Sequence, residues 1–390
     1  MSTLRAIGLV AALSLAVAAC NKENNDPQGT VANNGSADNG TIVVKIGTAN
    51  PLTGPFGGWG QDSAYGVQLA VDEANAENIV WEGKKVQFQL LSEDDQADPK
   101  TATQVAQRFV DKGVSGVIGH LTSGAAIPAS LIYIENNIPV IASSVTSPSF
   151  TEGGKKNVYR IIANDSQQGE ALAKYAIEKL GIKTFAIIHD KTAYGEGLAN
   201  DFAKKMQEGG AQKVGEEFTN TSATEFGAIV TAIKVKNPDL IFYGGMDPQA
   251  APLIKELRRQ GVPAKFMGAD GIKTEKFLEL AGEAAIGTFA STTSAPVENM
   301  PQFDQFKEKY KATFKQDIVA YAPYAYDAAK TLIDAMKRAK SSDPDVYGPE
   351  IAKTKMQGIT GEIEFMPSGD IKDPMVTLYE YKDGGWVLVK

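Results

Sequence analysis

The sequence reads as an α/β protein made of two doubly wound, parallel-sheet lobes. Three observations carry that expectation. From residue 41 onward, short apolar runs alternate with helical patterns. The alternation restarts near residue 165. The chain beyond the first forty residues, roughly 350 residues, is more than one hydrophobic core usually holds.

The elements follow in order. Ile42 to Gly47 reads as a buried strand and 61–77 as a helix. Val86 to Leu91 is a second strand. Helix 100–112 puts Ala102, Val105, Ala106, Phe109 and Val110 at helical spacing. Gly116 to Gly119 and Ile138 to Ile141 are strands with a helix between them. This rhythm implies parallel sheet with helices on both faces. It resumes with helix 167–180, strand Phe185 to Ile188, helices 195–209 and 224–236, strand Leu240 to Tyr243, helix 248–260 and strand Lys265 to Met267. Helices 301–314 and 323–339 come next. The chain closes on a hairpin, Val376 to Tyr379 with Trp386 to Val389, turning at Asp383-Gly384-Gly385.

The first forty residues differ in kind. Arg5 precedes an uncharged, apolar stretch from Ala6 to Ala19, too short to span a bilayer comfortably and right for a signal peptide. Val17-Ala18-Ala19-Cys20 is the pattern of a bacterial lipoprotein signal, in which the cysteine is acylated and becomes the new N-terminus. Cys20 is the only cysteine, so no intramolecular disulfide exists, and lipidation explains a lone thiol in an exported chain. Residues 1–20 are therefore expected to be a lipoprotein signal peptide. Residues 21–40 are almost without apolar side chains and read as a tether with a reach of roughly 25 Å. A formal charge of −8 with no Lys/Arg stripe argues against nucleic acid as a partner.

In doubly wound sheets, ligands sit beyond the carboxyl ends of the strands. What stands there is His120-Leu121-Thr122-Ser123, Ser143-Ser144-Val145-Thr146-Ser147, His189 to Gly195, Gly244-Gly245-Met246, Gly268-Ala269-Asp270-Gly271, and Leu52 to Gly60 containing Trp59. Hydroxyls and backbone N–H groups at helix starts suit a carboxylate. Asp270 suits an ammonium, and Trp59 and Tyr194 suit an apolar side chain. Each residue also has a plain structural reading. Ser123 and Thr146 fit N-caps, Asp270 before Gly271 fits a turn, Trp59 fits a loop anchor, and His120 and His189 fit buried structural positions.

With those residues in view, the chain resembles the leucine/isoleucine/valine-binding proteins of branched-chain amino acid ABC transporters, periplasmic binding proteins of the first structural type. The motifs are Leu52-Thr53-Gly54-Pro55 with Trp59-Gly60, Asp94 to Pro99, Val117 to Leu121, His189-Asp190-Lys191 with Tyr194 to Gly197, Tyr243-Gly244-Gly245 and Phe266-Met267-Gly268. They span nearly the whole chain after the tether. The resemblance implies that Ser123 and Thr146 hold an α-carboxylate. It implies that the Ser144 carbonyl and Asp270 hold an α-ammonium, and that Trp59 and Tyr194 close over the side chain. Leu121, Thr122, Val145, Met246 and Gly271 complete the expected ligand shell. It also implies a hinge of three crossovers near 163, 291 and 368. One lobe is then 41–163 plus 291–368, the other 164–290 plus 369–390. Where the family archetypes have Glu, an aromatic, a second aromatic and a disulfide pair, this chain has Asp270, Met246, Val319, and Ala97 with Thr122.

The expected function is that of a lipid-anchored extracytoplasmic (periplasmic) substrate-binding protein of an ABC importer. Its partners would be an L-amino acid, the permease subunits and the membrane that holds the anchor, with the protein itself a monomer. Amides, urea or other small polar solutes are alternative ligands, and a partner-binding envelope lipoprotein is an alternative role. No Gly-x-Ser-x-Gly elbow, phosphate loop or Cys-x-x-Cys is present, so no catalytic residue, cofactor or metal is expected. A His189–Asp190 pair is the one arrangement that would suit an enzyme.

Overall fold

A computed structural model describes residues 40–389. The expected signal peptide, Cys20 and the tether through residue 39 lie outside the described residues. The first sheet contains β1 (Ile42–Asn50), β2 (Val80–Trp81), β3 (Lys84–Asp94), β4 (Gly116–Gly119), β5 (Val140–Ala142) and β6 (Val158–Arg160), in the order β2-β3-β1-β4-β5-β6. All neighbours are parallel except β2 and β3. The second sheet contains β7 (Thr184–His189), β8 (Gln212–Phe218), β9 (Leu240–Gly244), β10 (Lys265–Met267) and β11 (Thr288–Thr292). A small ribbon, β12 (Lys355–Gln357) with β13 (Glu362–Glu364), stands apart. The hairpin β14 (Thr377–Lys382) and β15 (Gly385–Leu388) then completes the second sheet, in the order β15-β14-β11-β10-β9-β7-β8, antiparallel at that edge.

Side chains alternate along each strand, so each sheet feeds two cores. In β4, Ile118 enters a core with Val67, Val71, Leu332 and Ile333, whereas Val117 enters one with Val105, Phe109 and Tyr133. The first core is covered by α1 (Gly57–Ala76) and α10 (Ala322–Ala339), the second by α2 (Pro99–Asp111) and α3 (Ser123–Glu135). In β9, Ile241 and Tyr243 face one side, with Leu253 and Ile254 of α7 (Asp247–Arg259). Leu240 and Phe242 face α4 (Asp165–Glu178) and α5 (Ala193–Glu208).

The helix starts have local causes. Asp98 accepts from the Thr101 N–H, with Pro99 in the first turn of α2. Asn164 and Gln167 form a reciprocal capping box at α4.

The architecture is thus two α/β lobes, each with a doubly wound sheet. The chain passes between them after β6, after β11 and again before β14. The expected crossover at 291 falls inside β11. That strand continues to Thr292 because Ser291 and Thr292 pair with Leu378 and Thr377. Among the described residues no helix is long and apolar enough to cross a membrane.

Candidate functional site

The carboxyl ends of β4 and β5 carry the first group of expected site residues. Leu121, Thr122 and Ser123 follow β4, and all are buried. Thr122 sits at the N-cap of α3 in extended conformation, and its hydroxyl does not cap the helix. Its Oγ1 is buried with no protein partner; that of Thr146 is buried too, with the Asp165 carboxyl near it as a poorly aligned acceptor. Ser123 Oγ accepts from the Ser147 N–H at 3.3 Å, and Ser144 Oγ donates to the Leu121 carbonyl at 2.8 Å. These two bonds tie the loops together, with Val145 buried between them. The result is a row of hydroxyls at the start of α3, where the helix dipole favours negative charge. Buried polar atoms without partners are uncommon and call for a ligand or water.

The expected cation partner, Asp270, stands at the carboxyl end of β10 in the second sheet. Asp270 opens a single 3₁₀ turn, Asp270–Ile272, just after β10. Its Oδ1 accepts from Gln168 Nε2 at 2.8 Å and from the Tyr194 hydroxyl at 3.0 Å. Its Oδ2 faces the Tyr321 hydroxyl at 3.4 Å. Burial raises the Asp270 carboxyl above the usual range, opposed by the hydrogen bonds from Gln168 and Tyr194. Gly271 is required here: a Cβ would lie 2.7 Å from the Gly245 carbonyl and 2.8 Å from the Tyr194 hydroxyl. That hydroxyl also accepts from the Gly271 N–H at 3.0 Å.

The aromatic residues sit deeper than their glycine-rich surroundings suggest. Trp59 is 5% exposed, in the first turn of α1 rather than in a loop. It packs edge-on against Tyr321, with ring centroids 5.6 Å apart. Tyr194 is 3% exposed, in the first turn of α5. Met246 packs against core residues of both lobes. A cavity of about 330 Å³ adjoins Asp270 and is also lined by Lys273, Met300, Val319 and Tyr321.

The structure adds three residues that the sequence pattern does not single out. Arg160 lies behind the Thr146 loop, fully buried, and donates to the Val145 and Ser147 carbonyls at 3.1 and 2.8 Å. Asp62 accepts from the N–H groups of Val319, Ala320, Tyr321 and Ala322 at 2.7 to 3.0 Å and from the Tyr310 hydroxyl at 2.9 Å. Tyr321 is thereby held over Asp270. Asp165, at the start of α4, donates its N–H to the Thr146 carbonyl at 2.8 Å. An arginine in an apolar run was the one available clue to the first; the others look like ordinary helix or loop residues.

His189 and Asp190 bond to neighbouring groups rather than to each other. His189 Nδ1 accepts from the Lys191 N–H at 3.3 Å, and Asp190 accepts from the N–H and hydroxyl of Thr192 at 2.9 and 2.6 Å. His120 is buried between Asp95, at 2.7 Å, and Tyr133, at 2.9 Å. Among the described residues no group of three or more His, Cys, Asp or Glu could hold a metal ion.

The chain is similar to known proteins over most of its length. Residues 43–385 match the family model described as periplasmic binding protein. A Leu/Ile/Val-binding protein homolog 2 from Brucella abortus is 34% identical over 342 residues, 87% of this chain and 91% of the relative. A leucine-binding protein from Thermotoga maritima superposes with a TM-score of 0.81 at 29% identity, over 89% of this chain and 98% of that one. The branched-chain amino acid transporter substrate-binding protein of Streptococcus pneumoniae, in complex with isoleucine, gives 0.78 at 26% identity, over 89% and 100%.

Proposed function

The chain belongs to the periplasmic binding protein family, and from that premise we propose that it is the substrate-binding protein of an ABC importer for a branched-chain or other small aliphatic L-amino acid. The observation that carries the reading is the pairing of two poles. On one side the Thr122 hydroxyl is buried without a partner and the Thr146 hydroxyl has only the Asp165 carboxyl near it; on the other Asp270 accepts only from neutral donors.

In this reading the ligand carboxylate lies against Ser123 and Thr146 at the start of α3. The ammonium lies between Asp270 and the Ser144 carbonyl. The side chain rests among Trp59, Leu121, Tyr194 and Met246, with Thr122, Val145 and Gly271 completing the wall. Enclosing a zwitterion strips it of water, which is tolerable only when each charge is matched. Closure of the lobes about the crossovers supplies both matches together. The chemistry ends at capture; the protein turns nothing over. It acts outside the cytoplasm, tethered through lipid on Cys20, as a monomer that delivers its ligand to permease subunits. The kinship with Leu/Ile/Val-binding relatives supports the amino acid class.

A thermal-shift screen of the chain from residue 41 tests this, on protein unfolded and refolded to remove any carried-over ligand. A ligand at a hundred times its dissociation constant adds about 2.7 kcal/mol of stability. Stabilisation by Leu, Ile or Val is the expected result. A response confined to urea, amides or simple carboxylates overturns the ammonium role of Asp270.

A further inference from the structure

All five N–H donors of the Arg160 guanidinium are occupied. Nε donates to Asp370 Oδ1 at 2.9 Å. Nη2 donates to the same oxygen at 2.6 Å and to the Thr151 hydroxyl at 2.7 Å. Nη1 donates to the Val145 carbonyl at 3.1 Å and to the Ser147 carbonyl at 2.8 Å. The side chain is fully buried. The Arg160 backbone N–H also donates to the Gly369 carbonyl at 2.9 Å, so main chain and side chain are anchored to the same segment. The plane of the guanidinium is therefore fixed before any ligand arrives.

Two of those bonds settle the direction of a peptide unit. Val145 and Ser147 flank Thr146, and Arg160 takes the carbonyls of both. In a planar trans peptide the N–H points opposite to the C=O. With the Val145 carbonyl turned onto Arg160, the Thr146 N–H points away from Arg160. The next peptide unit is committed elsewhere. The Thr146 carbonyl accepts from the Asp165 N–H at 2.8 Å, and the Ser147 N–H donates to Ser123 Oγ at 3.3 Å. Among the described residues the Thr146 N–H donates to no group, although Thr146 is 1% exposed. Buried backbone donors are nearly always paired, so this one is open to a bound acceptor.

We propose that Arg160 is a positioning residue for recognition of the ligand carboxylate: by holding the Val145 and Ser147 carbonyls behind the loop, it presents the Thr146 N–H on the other side as a fixed donor. This rests on the reading of the cleft as an amino acid site with Thr146 at its carboxylate end. Arg160 touches no ligand in this scheme. Asp370 and Thr151 fix the guanidinium, and the guanidinium fixes the peptide. A donor already aimed loses little freedom on binding. The role is directional, since Asp370 offsets the charge. A lysine keeps the charge but loses the fork: its donors radiate from one nitrogen and cannot span Asp370 and both carbonyls in one plane. Without the fork the peptide unit is free to rotate, and a carbonyl oxygen turned forward repels an incoming carboxylate.

Two measurements on the chain from residue 41, which carries both sheets and their cores, test the inference. The first needs no ligand: crystal structures of ligand-free protein, wild type against Arg160→Lys. The Val145–Thr146 peptide is expected to turn or lose its density in the variant; an unchanged peptide overturns the positioning role. The second is calorimetry with L-leucine and with L-leucinamide, which keeps the ammonium and the side chain but has no carboxylate. Arg160→Lys is expected to lose roughly tenfold to a hundredfold in leucine affinity, the range for one hydrogen bond to a charged group, with leucinamide little changed. Equal losses for both ligands overturn the proposal, because a merely structural defect weakens the site without regard to the carboxylate. Should Arg160→Lys not fold, Asp370→Asn keeps an acceptor oxygen for the guanidinium and is expected to narrow the preference for leucine over leucinamide by a smaller factor; a wild-type preference in that variant overturns the proposal. Failure of wild type to bind leucine, with the peptide turned in Arg160→Lys, overturns the functional reading and leaves the positioning of the peptide standing.

Discussion

Arg160 and Asp370 meet at 2.6 Å across 210 residues of chain, and the same guanidinium holds the Val145 and Ser147 carbonyls. One side chain therefore links the loop that carries Thr146 to the segment leading into the last crossover. Asp370→Ala leaves a fully buried guanidinium unpaired. The expected loss of stability is about 3–5 kcal/mol, the range for breaking a buried pair. Urea denaturation measures it, and Arg160→Met/Asp370→Ala together should lose less than the sum of the two single variants.

Asp270→Asn should weaken leucine binding by about 2–5 kcal/mol, since the ammonium loses its charged partner. Stability of the ligand-free protein should move the other way. The carboxylate is raised by burial and surrounded by neutral donors, so a neutral isostere relieves a desolvated charge. A higher melting temperature together with lost calorimetric binding is the expected signature. Unchanged affinity would remove Asp270 from the cation pole.

Asp62→Ala removes the common acceptor of four backbone N–H groups and the Tyr310 hydroxyl. Hydrogen bonds to a charged group contribute about 1.5–3 kcal/mol each, and they share this one carboxylate. A loss of at least 3 kcal/mol is expected by chemical denaturation. Asp62→Asn keeps one acceptor oxygen and should fall between the two. Because Tyr321 is one of the tethered residues, ligand affinity should fall alongside stability.

Asp247 gives a pH dependence with a definite sign. It is 2% exposed, accepts from the Thr274 hydroxyl at 2.7 Å, and is raised by burial to about 6. A carboxyl whose folded value lies above its unfolded one binds more protons when folded. Its contribution is therefore most favourable below the unfolded value and is lost as pH rises from about 4 to about 6. Asp247→Asn should remove this slope. The stability difference between variant and wild type should shift in favour of Asn by up to roughly 3 kcal/mol from pH 4 to pH 7. Parallel stability curves would count against it.

Much of this fold is written in local pattern, because apolar runs and helical stripes are read within a few residues. β8 escaped that reading because it is an edge strand, Gln212 to Phe218, with mostly half-exposed polar side chains and no apolar run. β11 escaped for the opposite reason: it is buried but spelled Thr-Phe-Ala-Ser-Thr. For the candidate site, strand-end position is what brings Ser123, Thr146 and Asp270 to notice in the sequence. Asp165, Arg160 and Asp62 were not legible, since what makes them informative is a partner far along the chain. Gln168 meets Asp270 102 residues away, and Asp62 meets Tyr321 259 residues away. A charge in a helix looks the same in sequence whether it faces water or a buried neighbour.

The hairpin β14–β15 pairs antiparallel with β11 at the edge of the second sheet. Helix α10, which covers a core of the first sheet, also comes late, after residue 321. Synthesis runs from one end, so neither lobe has all its parts until nearly the whole chain exists. Each lobe has to wait, its nascent strands held open for longer than a self-contained domain of the same size would need. For a polypeptide exported before it folds, that delay is useful: the order of the segments along the chain itself postpones compaction.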